Sequence, residues 1–195
     1  MVVFMVNFFI DQYKKCWGFL KESRWYVVFA LGVFAVMFLV GFTYPQFFRA
    51  EIFDFIEGLR AMFEGKGVAD MIGIIFFNNL KASFFAVVLG IGIGIFPLVT
   101  VVINGYLLGF VSREAVNIGG LSALLLLVPH GIFELPAVIF SIGIGLKIGG
   151  DMFSGDAGKK LEYNIKESLR FFVLVVFPLL VVAAVIEGLL IGMMG

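Results

Sequence analysis

The sequence predicts an all-α, polytopic membrane protein with about five transmembrane helices and one interfacial amphipathic helix. Three observations predict it. Hydrophobic residues make up 62% of the chain and charged residues 14%, with a mean hydropathy of +1.10, against about 45–50% apolar and 25% charged in soluble domains. Several charge-poor runs reach the roughly 20 residues that cross a bilayer. The charges collect in short stretches between those runs. The 195 residues hold about five or six spans of that length and leave no room for a separate soluble domain.

No charge falls between Arg24 and Arg49, so 25–44 reads as span one, with Trp25, Tyr26 and Tyr44 at interface depth. Residues 1–24 read as a cytoplasmic segment; their opening apolar run lacks the basic start and small-residue cleavage site of a signal peptide. In 46–66, Phe48, Ile52, Phe55, Ile56, Leu59 and Phe63 recur at helical spacing while Glu51, Asp54, Glu57 and Arg60 take other positions. That pattern fits a helix lying in the interface or packed on the spans. Span two is 71–96, with Lys81 its one charge. Pro97 and the glycines before it separate it from span three, 98–117. Span four, 118–148, carries a break at Pro129-His130-Gly131. A charged cytoplasmic loop, 149–170, precedes span five, 171–192.

Basic residues orient the chain. Lys14, Lys15, Lys21 and Arg24 lie at the N-terminus, and Lys147, Lys159, Lys160, Lys166 and Arg170 lie before span five. Both groups are expected on the cytoplasmic side, which puts the N-terminus inside and the C-terminus outside the cell membrane. Arg49–Asp70, with three basic residues on the outer side, is the exception.

Two segment pairs suggest a duplication. Ala86–Gly94 matches Ala137–Gly145 at six of nine positions, and Ile103–Gly109 resembles Ile186–Gly192, each following a Phe-Pro-Leu. A parallel repeat of spans two–three as four–five accounts for this and for the shared directions of the paired spans; biased composition is the competing explanation. In that register the interior polar residues Asn79, Asn104, His130, Glu134 and Glu187 converge on one axis, with Asn78 beside them. Four Gly-x-x-x-Gly pairs (90/94, 105/109, 145/149, 188/192) favour close helix approach. About three are expected by chance from 24 glycines in 195 residues, so they are no evidence of dimerisation.

The segment Pro129-His-Gly-Ile-Phe-Glu-Leu-Pro136 is the most informative. It holds the single histidine, and Glu134 is the one charge between Ala115 and Leu146. A charge at that depth costs about 3 kcal/mol on insertion scales and needs a partner. The backbone interrupted by Pro129, Gly131 and Pro136 needs cover from protein or water. His130 and Glu134, four apart, share a helical face. They fit a buried polar lock that fixes packing, or a proton or ion relay. A metal site would need a His-Glu-Glu set with Glu187. No catalytic set is found: Ser83 and Ser141 read as helix-packing residues, and the glycine run 90–94 has no phosphate-loop context. No metal, cofactor or nucleic-acid partner is expected; zero net charge argues against the last. Cys16 cannot form an internal disulfide.

Phe77-Asn-Asn-Leu80, Asn104-Gly105, Pro129–Ala137, Gly145-Leu-Lys-Ile-Gly149 and Ile186-Glu187 together resemble the stage II sporulation protein M family. The resemblance covers roughly residues 26–192, and Pro-His-Gly-x-x-Glu is its most specific part. It implies a membrane protein of about five spans. In spore formers, it implies a scaffold for peptidoglycan-degrading enzymes at the engulfment septum. The leading reading is therefore a non-enzymatic organiser of envelope proteins, surrounded by membrane lipid and homo-oligomeric, with a dimer as the first expectation. The alternative is a small transporter or channel passing the His130/Glu134 site.

Overall fold

The structure is a computed structural model that describes residues 2–194, and the side chains of these apart from residues 2–4, 126, 130 and 194. Seven α-helices follow in order: α1 Val2–Thr43, α2 Arg49–Phe63, α3 Val68–Val88, α4 Ile95–Gly119, α5 Val128–Asp151, α6 Ala157–Phe171 and α7 Phe177–Met194. No strand occurs among the described residues. Five stretches are long and apolar enough to cross a membrane: Met5–Thr43, Val68–Ile91, Ile95–Gly119, Gly131–Asp151 and Ala157–Met193. The protein is a multi-pass α-helical membrane protein.

The helix ends follow from local chemistry. α1 stops at Thr43 because Tyr44 precedes Pro45, and a residue before proline avoids helical geometry. α2 starts after Phe48 in a left-handed conformation (φ 54) and ends before Gly65 (φ 70). Glu51 in its first turn and Arg60 in its last complement the helix dipole. α3 gives way at Leu89 to a 3-10 turn, Leu89–Ile91, and left-handed Gly94 admits the chain to α4, with Pro97 in the first turn.

Several boundaries differ from those read in the sequence. Most of the 1–24 segment and of span one form one 42-residue helix, Val2–Thr43, about 63 Å long; once outside the apolar layer, Lys14, Lys15, Leu20, Lys21, Glu22 and Arg24 are good helix residues. The interruption expected at Pro129–Gly131 falls earlier, at left-handed Gly120 and the 3-10 turn Leu121–Leu126. Pro129 then opens α5, where its missing N–H is harmless, while Pro136 sits inside the helix. Within the expected 149–170 loop, Ala157–Phe171 is helical. A π-helical turn, Phe172–Val176, joins α6 to α7.

Pro178 explains a contact beside that turn. Without an N–H it cannot bond the Leu174 carbonyl four residues back, and the Tyr13 hydroxyl donates to that oxygen at 3.3 Å. α1 thus crosses the α6–α7 junction and covers its irregular backbone.

Glycines set the remaining packing. A methyl built on Gly145 would overlap the Ala86 carbonyl, one on Gly90 the Gly145 backbone, and one on Gly149 the backbone of Gly94. α3 and α5 therefore run parallel, backbone against backbone. Gly105 and Gly109 bring α4 onto α1 at Phe34 and Phe38, also parallel, while Gly188 and Gly192 receive Ile72 and Val68, which makes α7 antiparallel to α3. All four Gly-x-x-x-Gly pairs are thus filled within the chain. The helix directions are those a duplication requires, but the matched segments differ: Ala86–Gly94 ends a helix and turns, whereas Ala137–Gly145 is continuous helix.

Two buried clusters fill the bundle. One joins Cys16 and Phe19 of α1 to Ile144, Ile148, Phe171 and Leu180; the other joins Ala30 and Phe34 to Ala86, Val101 and Ile142.

Candidate functional site

The Gly90–Gly145 contact sets the register of α3 against α5. Eleven residues before each of these lie Asn79 and Glu134, and the parallel helices bring them side by side. The Asn79 carboxamide hydrogen-bonds the Glu134 carboxyl, and the Glu187 carboxylate of α7 lies close enough to act on it electrostatically. Asn79 is eleven residues into α3, near mid-span, so the group is an interior one.

One turn further along α3, on the same face as Asn79, is Ser83. It is 1% exposed, and its hydroxyl has no hydrogen-bond partner among the described residues. Other helix hydroxyls return a bond to the preceding turn: Ser141 to the Ala137 carbonyl at 2.8 Å and Ser23 to that of Phe19 at 2.8 Å. Ser83 instead leaves a buried polar atom on the α3 face that carries Asn79.

The other sequence-derived candidates are placed differently. Asn104 donates to the Thr100 carbonyl of its own helix at 2.8 Å, and no described hydrogen bond joins it to the Asn79–Glu134 pair. Asn78 is exposed. The His130 side chain lies outside the described residues; its backbone is in the first turn of α5, as is that of Pro129. No cluster of three or more metal-ligating His, Cys, Asp or Glu side chains occurs among the described residues.

A second polar group was missed from the sequence. Lys147, 8% exposed at the end of α5, donates to Asp151 at 2.9 Å and to the Asn164 carbonyl oxygen of α6 at 2.6 Å. Asn164 donates back to Asp151 at 2.8 Å, Lys160 stands 3.7 Å from the same carboxylate, and the Phe19 ring of α1 lies 5.4 Å from the Lys147 ammonium. Buried charges with every partner in place hold helices in register. Arg170 pairs with Glu167, and Tyr163 donates to Glu22, so α6 is held to α1 as well as α5. The available signal was the opposite charges of Lys147 and Asp151, four apart at the end of an apolar run.

At the other end of the bundle, α2 is clamped rather than buried. Arg49 donates two hydrogen bonds to Glu114 of α4, at 2.8 and 3.3 Å, and its guanidinium lies over Phe53 and Phe110. The Tyr106 hydroxyl is within hydrogen-bond reach of both the Tyr44 carbonyl at 2.9 Å and that of Phe47 at 2.8 Å, fixing the turn before α2. No residue of α2 is buried. Ile52, Ile56, Leu59 and Phe63 are partly covered, whereas Glu51, Asp54 and Glu57 are exposed.

The family model described as Stage II sporulation protein M matches residues 26–190. An uncharacterized protein of Methanocaldococcus jannaschii is 35% identical over 117 residues, which cover 57% of this chain and 51% of that protein. A second uncharacterized protein of the same organism is 32% identical over 117 residues, covering 56% of this chain and 65% of its own length. The chain thus aligns with about half of the first relative and less than two thirds of the second. No solved structure matches it.

Proposed function

The chain belongs to the stage II sporulation protein M family, and from that premise we propose that it is a non-enzymatic membrane protein that anchors or organises partner proteins in the cell envelope. The observation that carries this reading is α2. It is an amphipathic helix with no buried residue, held to the body by the Arg49–Glu114 pair and the Tyr106 hydroxyl. A helix fixed in place yet uncovered is a preorganised docking element, because its ordering entropy is spent before any partner arrives. Its Glu51, Asp54 and Glu57 side chains face away from the apolar stripe and suit a basic partner.

In this reading the N-terminus is cytoplasmic and the C-terminus outside, following the basic residues of 1–24 and of α6, so α2 lies at the outer surface. The homo-oligomeric state, a dimer first, belongs to the same proposal. Its contact would use lipid-facing surfaces, since the four glycine pairs are occupied within the chain.

The test places a photo-crosslinking amino acid at Asp54 in the full chain and illuminates native membranes. A discrete envelope-protein adduct, lost when Glu51→Lys and Glu57→Lys are added to the crosslinker-bearing chain although that chain inserts normally, supports the proposal. Adducts confined to lipid contradict it.

One observation favours a second reading, a transporter or channel: the buried Ser83 hydroxyl, one turn from Asn79, has no hydrogen-bond partner among the described residues. Against it, α3 continues unbroken through Asn78 and Asn79, whereas transport sites of this kind are built on matched broken helices.

A further inference from the structure

An apolar groove of about 360 Å³ opens beside α1, at the end of the bundle that carries Lys21 and Arg24. Trp25, Tyr26 and Phe29 form one wall, Ile93 and Gly94 of the α3–α4 turn another, and Gly150 and Phe153 the end. Missing side chains make the room. Gly94 is left-handed (φ 71), and a methyl on Gly150 would press on the Tyr26 hydroxyl. A second groove of about 390 Å³, lined by Phe29, Gly32 and Met37 among others, continues it along α1 through the shared Phe29.

The combined length identifies the occupant. Trp25 to Met37 is twelve residues, about 18 Å of helix, close to the half-thickness of a roughly 30 Å hydrocarbon core. The groove therefore matches one leaflet's acyl chain. Two polar groups adjoin it: the Arg24 guanidinium stands 5.4 Å from the centre of the Trp25 ring that lines the groove, and the lining Tyr26 hydroxyl makes no hydrogen bond to any described residue. Guanidinium geometry matches a phosphate oxygen pair, and a phenol supplies a further donor.

We propose that this groove holds one anionic phospholipid of the adjacent leaflet, its phosphate on Arg24 and the Tyr26 hydroxyl and one acyl chain along Phe29 and Gly32. The exposed side of α1 then carries a bound lipid as part of the protein's surface.

The experiment uses tryptophan fluorescence. The full chain with Trp17→Phe, which leaves Trp25 as the single tryptophan, is reconstituted in phosphatidylcholine vesicles. A small fraction of either dibrominated phosphatidylglycerol or dibrominated phosphatidylcholine is then included. The expected result is about fivefold more effective quenching by the anionic lipid, the enrichment one basic side chain gives at a membrane surface. Arg24→Gln should abolish the preference, and Lys21→Gln should leave it. Gly32→Leu, whose side chain enters open space, should weaken the quenching without disturbing the fold. Equal quenching by the two lipids overturns the proposal, as does a preference that survives Arg24→Gln. An equal preference at Trp17 in the Trp25→Phe chain would also overturn it, by reducing the effect to general surface charge.

Discussion

Gly145→Ala tests the packing that positions the interior polar pair. A methyl there would overlap the Ala86 carbonyl, and it would stand 3.2 Å from the Pro97 side chain. Relief requires α3 and α5 to separate by about 1 Å at this point, because the obstacle is backbone rather than a side chain that can rotate away. Overpacking of this kind costs up to about 3 kcal/mol. Alanine's better helix propensity returns about 1 kcal/mol, leaving a net loss of about 2 kcal/mol. In a chain of this length that corresponds to a midpoint lower by about 4–8 °C. Gly58→Ala in α2 is the control, since nothing lies within 4 Å of its added methyl; it should gain up to about 1 kcal/mol. Thermal unfolding in detergent, followed by loss of the monodisperse chromatographic peak, measures both. A Gly145→Ala midpoint equal to or above that of the unmodified chain, with Gly58→Ala rising as expected, would refute the close approach of α3 and α5. The register of Asn79 against Glu134 would fall with it.

Two further outcomes follow from the geometry. Asp151→Ala leaves the buried Lys147 ammonium with Asn164 as its one hydrogen-bond partner and should cost about 3 kcal/mol in an SDS unfolding titration, whereas Lys147→Met/Asp151→Leu together should recover most of the loss; equal losses in the two chains would mean that the network is solvated. Ile93→Gly removes a β-branched residue from a left-handed conformation (φ 62) at a position already 55% exposed, so it should raise the thermal midpoint by about 2–4 °C for about 1 kcal/mol of relieved strain; a lowered midpoint would show that the Ile93 side chain contributes more than its backbone costs.

Membrane spanning was legible because long charge-poor runs have few alternatives to transmembrane helices. α2 was legible too, since Ile52, Ile56, Leu59 and Phe63 repeat at helical spacing. The continuity of α1 was not. Lys14 to Arg24 mark where the apolar layer stops, and they carry no signal that the backbone stops there as well. α6 was read as loop for a similar reason: its buried Asn164 and Glu167 look like surface residues until Lys147 and Arg170 are seen beside them. In the interior site, polarity alone singled out Asn79, Glu134 and Glu187. Which of them meet depends on the contact of Gly90 with Gly145, a property of two backbones that no single segment displays. Asn104 shows the converse, because an asparagine in a span can satisfy itself on its own helix at the Thr100 carbonyl.

In the proposed membrane anchor the Asn79–Glu134 pair is a dry lock rather than part of a conduction path. Ser83→Cys, in a Cys16→Ala chain, reads this directly, since the thiol is nearly the size of the hydroxyl and sits one turn from Asn79. Membrane-impermeant thiol reagent is applied from each side of oriented vesicles, with SDS-unfolded protein as the positive control. A dry lock gives no labelling from either side of the folded protein and full labelling after unfolding. Labelling of the folded protein from one side, blocked by a solute, would contradict it and establish a water-filled route to the site.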